Sequence, residues 1–237
     1  MKSMIFGIIR KPMEPPFYLG ANHLDILVVN SIPETVDKLI RSRIGSNSIY
    51  KKVRKELNKK MSEADILCIA RQIHEPLPMT AGFALYRKME TNGMNVLYND
   101  AVFVRKELQK QGIFRQMTAL MLASGKFDFF AAATKHPAVY KVIRSVAGET
   151  YPSSGDQRCA HKIAESIADM AGIRDFEKET FIARGFSRGY EDTAAGGDKF
   201  FRKMNLNLGK DDSVLVIGNV KKKQLCDICE YDCSPPW

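Results

Sequence analysis

The segment "FVRKELQKQGIFRQM", Phe103 to Met117, sets one glycine, Gly112, inside a basic, glutamine-rich run. An apolar stretch precedes it and an apolar stretch of helical period follows it. A helix starting near Gly112 would present unbonded backbone N–H groups and the positive end of its dipole, an arrangement that binds phosphate. Glycine there lets a ligand come close to the backbone. A glycine turn between strand and helix is also common without a ligand, so this stretch alone leaves both readings open.

Other chemistry-bearing residues form fewer patterns. No serine sits in a glycine-flanked elbow, and Cys68 and Cys159 lie in apolar or mixed surroundings that suit small core residues. His23, His74, His136 and His161 have no metal-ligand spacing, and His136, just before Pro137, suits a helix start. Cys226, Cys229 and Cys233 form a C-x-x-C with a further cysteine, which would hold zinc only with a fourth ligand from elsewhere. No metal is expected, and that cluster is the weaker alternative.

The elements that position these residues follow from periodicity. Leu24 to Asn30 reads as a strand, followed by a helix to about Ile44 and, after "GSNS", a second helix capped by Ser48 with a strongly basic outer face. Strand-like runs cover Ala64 to Gln72, Ala81 to Lys88 and Met94 to Val104, and Asn92-Gly93 is a strong hairpin signal between the last two. Ile113, Met117, Leu120 and Met121 recur at helical spacing until Gly125. Then come a strand at Phe127 to Ala133 and a helix opened by Pro137. A helix near Arg158 to Ala171, a strand at Phe181 to Arg184, a short helix near Lys199 to Asn205 and a last strand, "SVLVIGNV", complete the pattern. On Met94 to Val104, strict alternation would put Tyr98, Asp100, Val102 and Val104 on one face.

Composition sets outer bounds. The chain has 237 residues, 45% of them apolar and 27% charged, an ordinary globular balance with room for a core. Its most apolar runs are far shorter than the about 18 residues a membrane helix needs. Five cysteines, an odd number, and a start that breaks at Arg10 lead to a cytoplasmic expectation. A net charge of +9 favours anionic partners without choosing among nucleic acid, a membrane face or a phosphorylated cofactor.

The run Gln109, Lys110, Gln111, Gly112, Ile113, Phe114 resembles the acyl-CoA-binding motif of the GNAT superfamily of N-acetyltransferases. In that motif a strand leads into Arg or Gln, two residues, Gly, one residue, then Gly or Ala. Here the strand ends at Val104, five residues before Gln109, and Phe114 stands where the family usually has a small residue. The order of elements from Leu24 to Val220 is also similar to that of a GNAT domain, and "ATKHPAVYKVIRSV" resembles the next motif, whose helix carries a tyrosine, here Tyr140.

The resemblance implies an α/β (α+β) acyl-CoA N-acyltransferase fold, with a mixed, largely antiparallel central sheet flanked by helices. It would fill residues 1–220 as one domain, enlarged at about 155–211, before a basic, cysteine-containing tail at 221–237. It implies acetyl-CoA or another acyl-CoA as cosubstrate and an amine acceptor that the sequence does not identify. Val102, Val104, Gln109, Lys110, Gln111, Gly112, Ile113, Phe114 and Arg115 would bind the cofactor. Tyr140 would be the general acid toward the CoA thiolate, and Asp100, the carboxylate of its strand, the general base. No membrane is expected, and a second copy of the chain is a candidate partner. The alternatives are a GNAT-like module that has lost CoA binding or catalysis, and, less favoured, a basic nucleic-acid-binding protein.

Overall fold

Apolar positions three and four apart along residues 34–63 produce two helices, α1 at Glu34–Ile44 and α2 at Ser48–Glu63. Both are found in a computed structural model, which describes residues 4–10, 34–44, 48–72, 79–153, 157–186, 197–206, 208–209 and 211–220. The strand expected at 24–30 lies outside these residues, as do the cysteines of the 221–237 tail. The first described strand, β1 (Met4–Arg10), pairs antiparallel with β2 (Ile66–Gln72) in the register Met4 to Gln72.

The remaining elements, in order, are β3 (Met79–Thr91), β4 (Met94–Val104), α3 (Ile113–Ala123), β5 (Phe129–Thr134), α4 (Pro137–Val146), β6 (Glu149–Tyr151), α5 (Arg158–Met170), β7 (Phe176–Glu177), β8 (Ile182–Ala183), α6 (Gly197–Arg202) and β9 (Ser213–Asn219). The strand order is β1-β2-β3-β4-β5-β9-β8-β7, and β6 also pairs with β9. β4 and β5 run parallel through Val96–Tyr98 and Phe129–Ala131, with α3 in the connection a parallel pair requires. The flanking pairs are antiparallel. This is the mixed, largely antiparallel sheet with helices that the resemblance implies.

Two compact units divide the chain, and the β3–β4 hairpin passes through both. In the first, residues 1–87 and 99–124, α1 and α2 bury Val36, Leu39, Ile40, Leu57 and Met61 against Leu67, Ile69, Phe83 and Leu85 of the sheet. Ala101 and Phe103 of β4 pack on the same cluster, and the Phe103 ring stacks on Phe83 with centroids 5.7 Å apart. In α3, Ile113, Met117 and Met121 are buried, and Thr118 shares a 3.2 Å hydrogen bond with the buried Tyr86 hydroxyl.

The second unit, residues 88–98 and 125–237, holds the hairpin turn, where Asn92 and Gly93 take φ of 50° and 72° as a primed two-residue turn demands. Helix α4 lies so close to β9 that a Cβ on Gly218 would meet Ile143 Cγ2 at 2.8 Å and Ala147 Cβ at 2.6 Å. The far edge differs from expectation. Of the strand expected at Phe181 to Arg184 only Ile182–Ala183 is paired, because Phe181 takes φ of 58°, and β7 completes a short ribbon with it. Arg184 ties that ribbon by donating to both Glu177 carboxylate oxygens, at 2.7 and 3.0 Å, and to Asp212.

Candidate functional site

The loop after β4 is built by bonds that bring its ends together. The Arg105 amide donates to the Ala81 carbonyl at 2.9 Å and its Nε to the Thr80 carbonyl at 2.7 Å, so the chain leaves the sheet in a fixed direction. Gly82 allows this approach, since a Cβ there would lie 2.6 Å from the Phe103 carbonyl oxygen. A 3-10 turn at Lys106–Leu108 buries Leu108, and Gln109 Nε2 donates back to the Val104 carbonyl at 3.4 Å. The five-residue spacing from Val104 to Gln109 is thus closed by a hydrogen bond.

Gly112 caps α3 in the left-handed region, with φ of 76° and ψ of 11° and no side-chain cap. The first bond of the helix runs from the Gln116 amide to the Gly112 carbonyl at 2.9 Å. The amides of Ile113, Phe114 and Arg115 precede it and have no acceptor among the described residues, as expected for a first helical turn. A Cβ built on Gly112 meets nothing within 4 Å, so the space above the turn is open. Lys110, Gln111 and Arg115 are exposed around it, whereas Ile113 and Phe114 are buried. Phe114, the departure from the family pattern, is only 8% exposed, so its ring belongs to the core of the first unit. The solvent side of the turn is therefore backbone with two cationic side chains. Val102 and Val104 are half-buried at the end of β4.

Asp100 is placed differently from the strict alternation of β4. Its two carboxylate oxygens accept from Arg87, at 2.5 Å from Nε and 2.6 Å from Nη2. Arg87 also lies 4.0 Å from Glu63 of α2. Asp100 thus faces the α2 side together with its neighbour Ala101, so two successive residues meet one layer, as at a β-bulge. The expected grouping of Asp100 with Val102 and Val104 is broken here, since Ala101 and Phe103 share its face. Burial pushes the Asp100 carboxyl up from its ordinary value, with Arg87 and then Lys60 opposing. Each oxygen keeps a second lone pair, but taking an amine proton would neutralise the carboxylate and weaken its ion pair with Arg87.

Tyr140 belongs to the second unit. It is buried in α4, its hydroxyl donates to the Pro152 carbonyl at 3.3 Å, and its ring meets Phe200 and Phe201 edge-on at 5.5 and 6.3 Å. Burial pushes its pKa up, so the hydroxyl keeps its proton at neutral pH. The start of α4 is capped by His136, whose Nδ1 accepts from the Ala138 amide at 3.3 Å, the helix-start role expected of it. Cys68 is fully buried and its thiol is pushed up to about 12 by desolvation, which makes it an unreactive core residue.

Sequence reasoning missed Arg87, Lys60, Asn99 and Gly82. Arg87 was reachable, because a two-residue Asn92-Gly93 turn sets it opposite Tyr98 and diagonal to Asp100. Lys60 was not, since it comes from a helix distant in sequence.

No protein-family model matches the chain, and no curated protein matches it. Among solved structures, the chain is similar to an IAA acetyltransferase from Bacillus cereus, at 12% identity over 92% of this chain and 99% of that one, with a TM-score of 0.42. It is similar to an acetyltransferase of Bacillus subtilis in complex with CoA, at 13% identity over 80% and 93% of the two chains, with a TM-score of 0.36. A third is the GNAT family N-acetyltransferase YhbS from Escherichia coli in complex with CoA, at 18% identity and a TM-score of 0.34. That match takes in 47% of this chain and 63% of YhbS. At such TM-scores the likenesses carry no residue-by-residue correspondence.

Proposed function

We propose that the chain is a GNAT-type acyltransferase, which moves an acetyl or other short acyl group from acyl-CoA to an amine by direct transfer in a ternary complex. The observation that carries this reading is the open N-terminal turn of α3. Three amides without an acceptor among the described residues follow a left-handed glycine, with Lys110 and Arg115 exposed beside them. Such a turn suits a pyrophosphate, because aligned N–H groups and the helix dipole favour negative charge. The burial of Phe114 keeps its ring out of the space a phosphate would use.

In this reading the amine nitrogen attacks the thioester carbonyl, a C–N bond forms, and the C–S bond breaks to release CoA thiolate. Backbone groups at Val102–Val104 receive the carbonyl oxygen. Tyr140, whose hydroxyl would have to leave the Pro152 carbonyl to act, is proposed as the proton donor for the thiolate on the resemblance alone. Because Arg87 holds Asp100, we assign that carboxylate to shaping the strand and leave the amine proton to water. The test is acetyl-CoA turnover followed by thiol release over a panel of primary amines. Acceptor-dependent release supports the reading, and its absence across monoamine, diamine, amino-acid and peptide acceptors contradicts it.

A further inference from the structure

Around Asp100 the backbone of β4 is held by side chains rather than by its ladder alone. Lys60 Nζ, from α2, donates to the Asp100 carbonyl at 2.7 Å. Asn99 Nδ2 donates to two carbonyls, Leu85 on β3 and Ala101 two residues on, each at 3.0 Å. Arg87 clasps the Asp100 carboxylate from β3. A regular hairpin bonds alternate carbonyls across its strands and leaves the others to water or a further strand, so it needs no side chains for them. Here the break in alternation is tied to α2, to β3 and to its own strand, which leaves it one direction of exit. The chain then continues directly into Val102 and Val104.

We propose that Lys60 and Asn99 are positioning residues, which set the path of the β4 backbone at Val102–Val104 and thereby its aim at the thioester carbonyl. This rests on the proposed function for its catalytic meaning, while the lock itself does not. Donors to a developing oxyanion work only within a few tenths of an ångström of their place, and a shift of about 1 Å costs on the order of a hundredfold in rate. The charged groups facing Lys60 are Asp100 on β4, Arg87 on β3, and Glu56 and Glu63 on its own helix. Burial, with help from Arg87, pushes the Lys60 ammonium down from its ordinary value, against the three carboxylates. The lock therefore weakens at a lower pH than a free lysine would lose its proton.

Two readouts on the full chain test this. Lys60→Met should lower kcat by about tenfold or more while leaving KM for acetyl-CoA and the CoA-induced rise in Tm unchanged, since α3 is untouched. Lys60→Arg, which keeps charge and donor, should restore most of kcat and move the alkaline decline of the rate to higher pH. A Lys60→Met enzyme with wild-type kcat overturns the proposal, and so does a Lys60→Arg enzyme as slow as Lys60→Met. Amide hydrogen exchange at Ala101–Val104 reads the lock without any turnover. It should rise in Lys60→Met and return to wild type in Lys60→Arg, and unchanged exchange overturns the proposal. A wild-type chain that gives no CoA-induced shift and no turnover defeats the proposed function instead, and the exchange result still decides the lock.

Discussion

Phe114 stands on the first turn of α3 with its ring buried and its amide without an acceptor among the described residues. The two ends of the residue thus have separate tasks. Phe114→Ala should destabilise the chain by about 3 kcal/mol through the cavity it leaves, while CoA affinity measured well below the transition stays near wild type. Urea unfolding and calorimetric titration check the two halves of that expectation. A variant of normal stability that has lost CoA would instead make Phe114 a ligand contact. Arg87 is the second residue whose removal separates readings. Arg87→Met would leave a buried carboxylate short of a partner and should cost about 3 kcal/mol at neutral pH. Burial already holds the Asp100 carboxyl above its ordinary value, and the variant would raise it further. The protonated acid needs no counter-charge, so the stability gap to wild type should narrow as pH falls through that raised value. A gap that stays constant with pH, followed by urea unfolding, would show that Asp100 is not the group left stranded.

At the scale of elements, what local pattern can encode was legible. β4 is found at Met94–Val104, as expected from its run between Asn92-Gly93 and the basic loop, and α3 and α4 begin where Gly112 and Pro137 place them. Of the apolar positions Ile49, Val53 and Leu57 that mark one face of α2 in the sequence, Val53 and Leu57 reach the core, joined there by Met61. What failed depended on partners distant in sequence. Alternation is broken after Asp100, where Asn99 bonds the Leu85 carbonyl and Arg87 takes the carboxylate; the hairpin turn brings Arg87 within reach, but β4 read alone does not show the extra residue. β6 and β7, at Glu149–Tyr151 and Phe176–Glu177, are too short and too polar to show a period, and exist because β9 and β8 offer them edges. In the candidate site, the Gly112 turn could be read from the sequence, while the inward turn of Phe114 could be seen only with the core around it.

At the scale of the molecule, no described helix is long and apolar enough to cross a membrane. The second unit has its own electrostatic fastening in Arg184, Glu177 and Asp212. Burial acts to raise the Asp212 carboxyl, but the Gly185 amide, the Arg184 guanidinium and the Gly209 amide outweigh it and hold it low. Arg184 holds Glu177 low as well. Groups whose folded values are depressed stabilise above their unfolded values, about 4 for these acids, and that contribution is lost as pH falls below them. The protection of amides at β8 and the Ser213–Val214 end of β9, taken relative to intrinsic exchange at each pH, should therefore fall with acid in wild type, and an Arg184→Ala chain should show low protection at every pH. Equal exchange in the two chains at neutral pH would mean the triad does not hold the ribbon.

The account rests most heavily on the pyrophosphate of CoA lying against the amides that follow Gly112. Calorimetric titration of CoA into the wild-type chain and into Gly112→Asp tests it most directly. The built Cβ meets no atom within 4 Å, so the aspartate side chain has room, at a left-handed backbone strain of about 1 kcal/mol, while it brings a negative charge to the phosphate position. The account predicts saturable binding to wild type and no detectable binding to the variant, with both chains folded. Equal affinity in the two, or no binding to wild type at millimolar CoA, would contradict it.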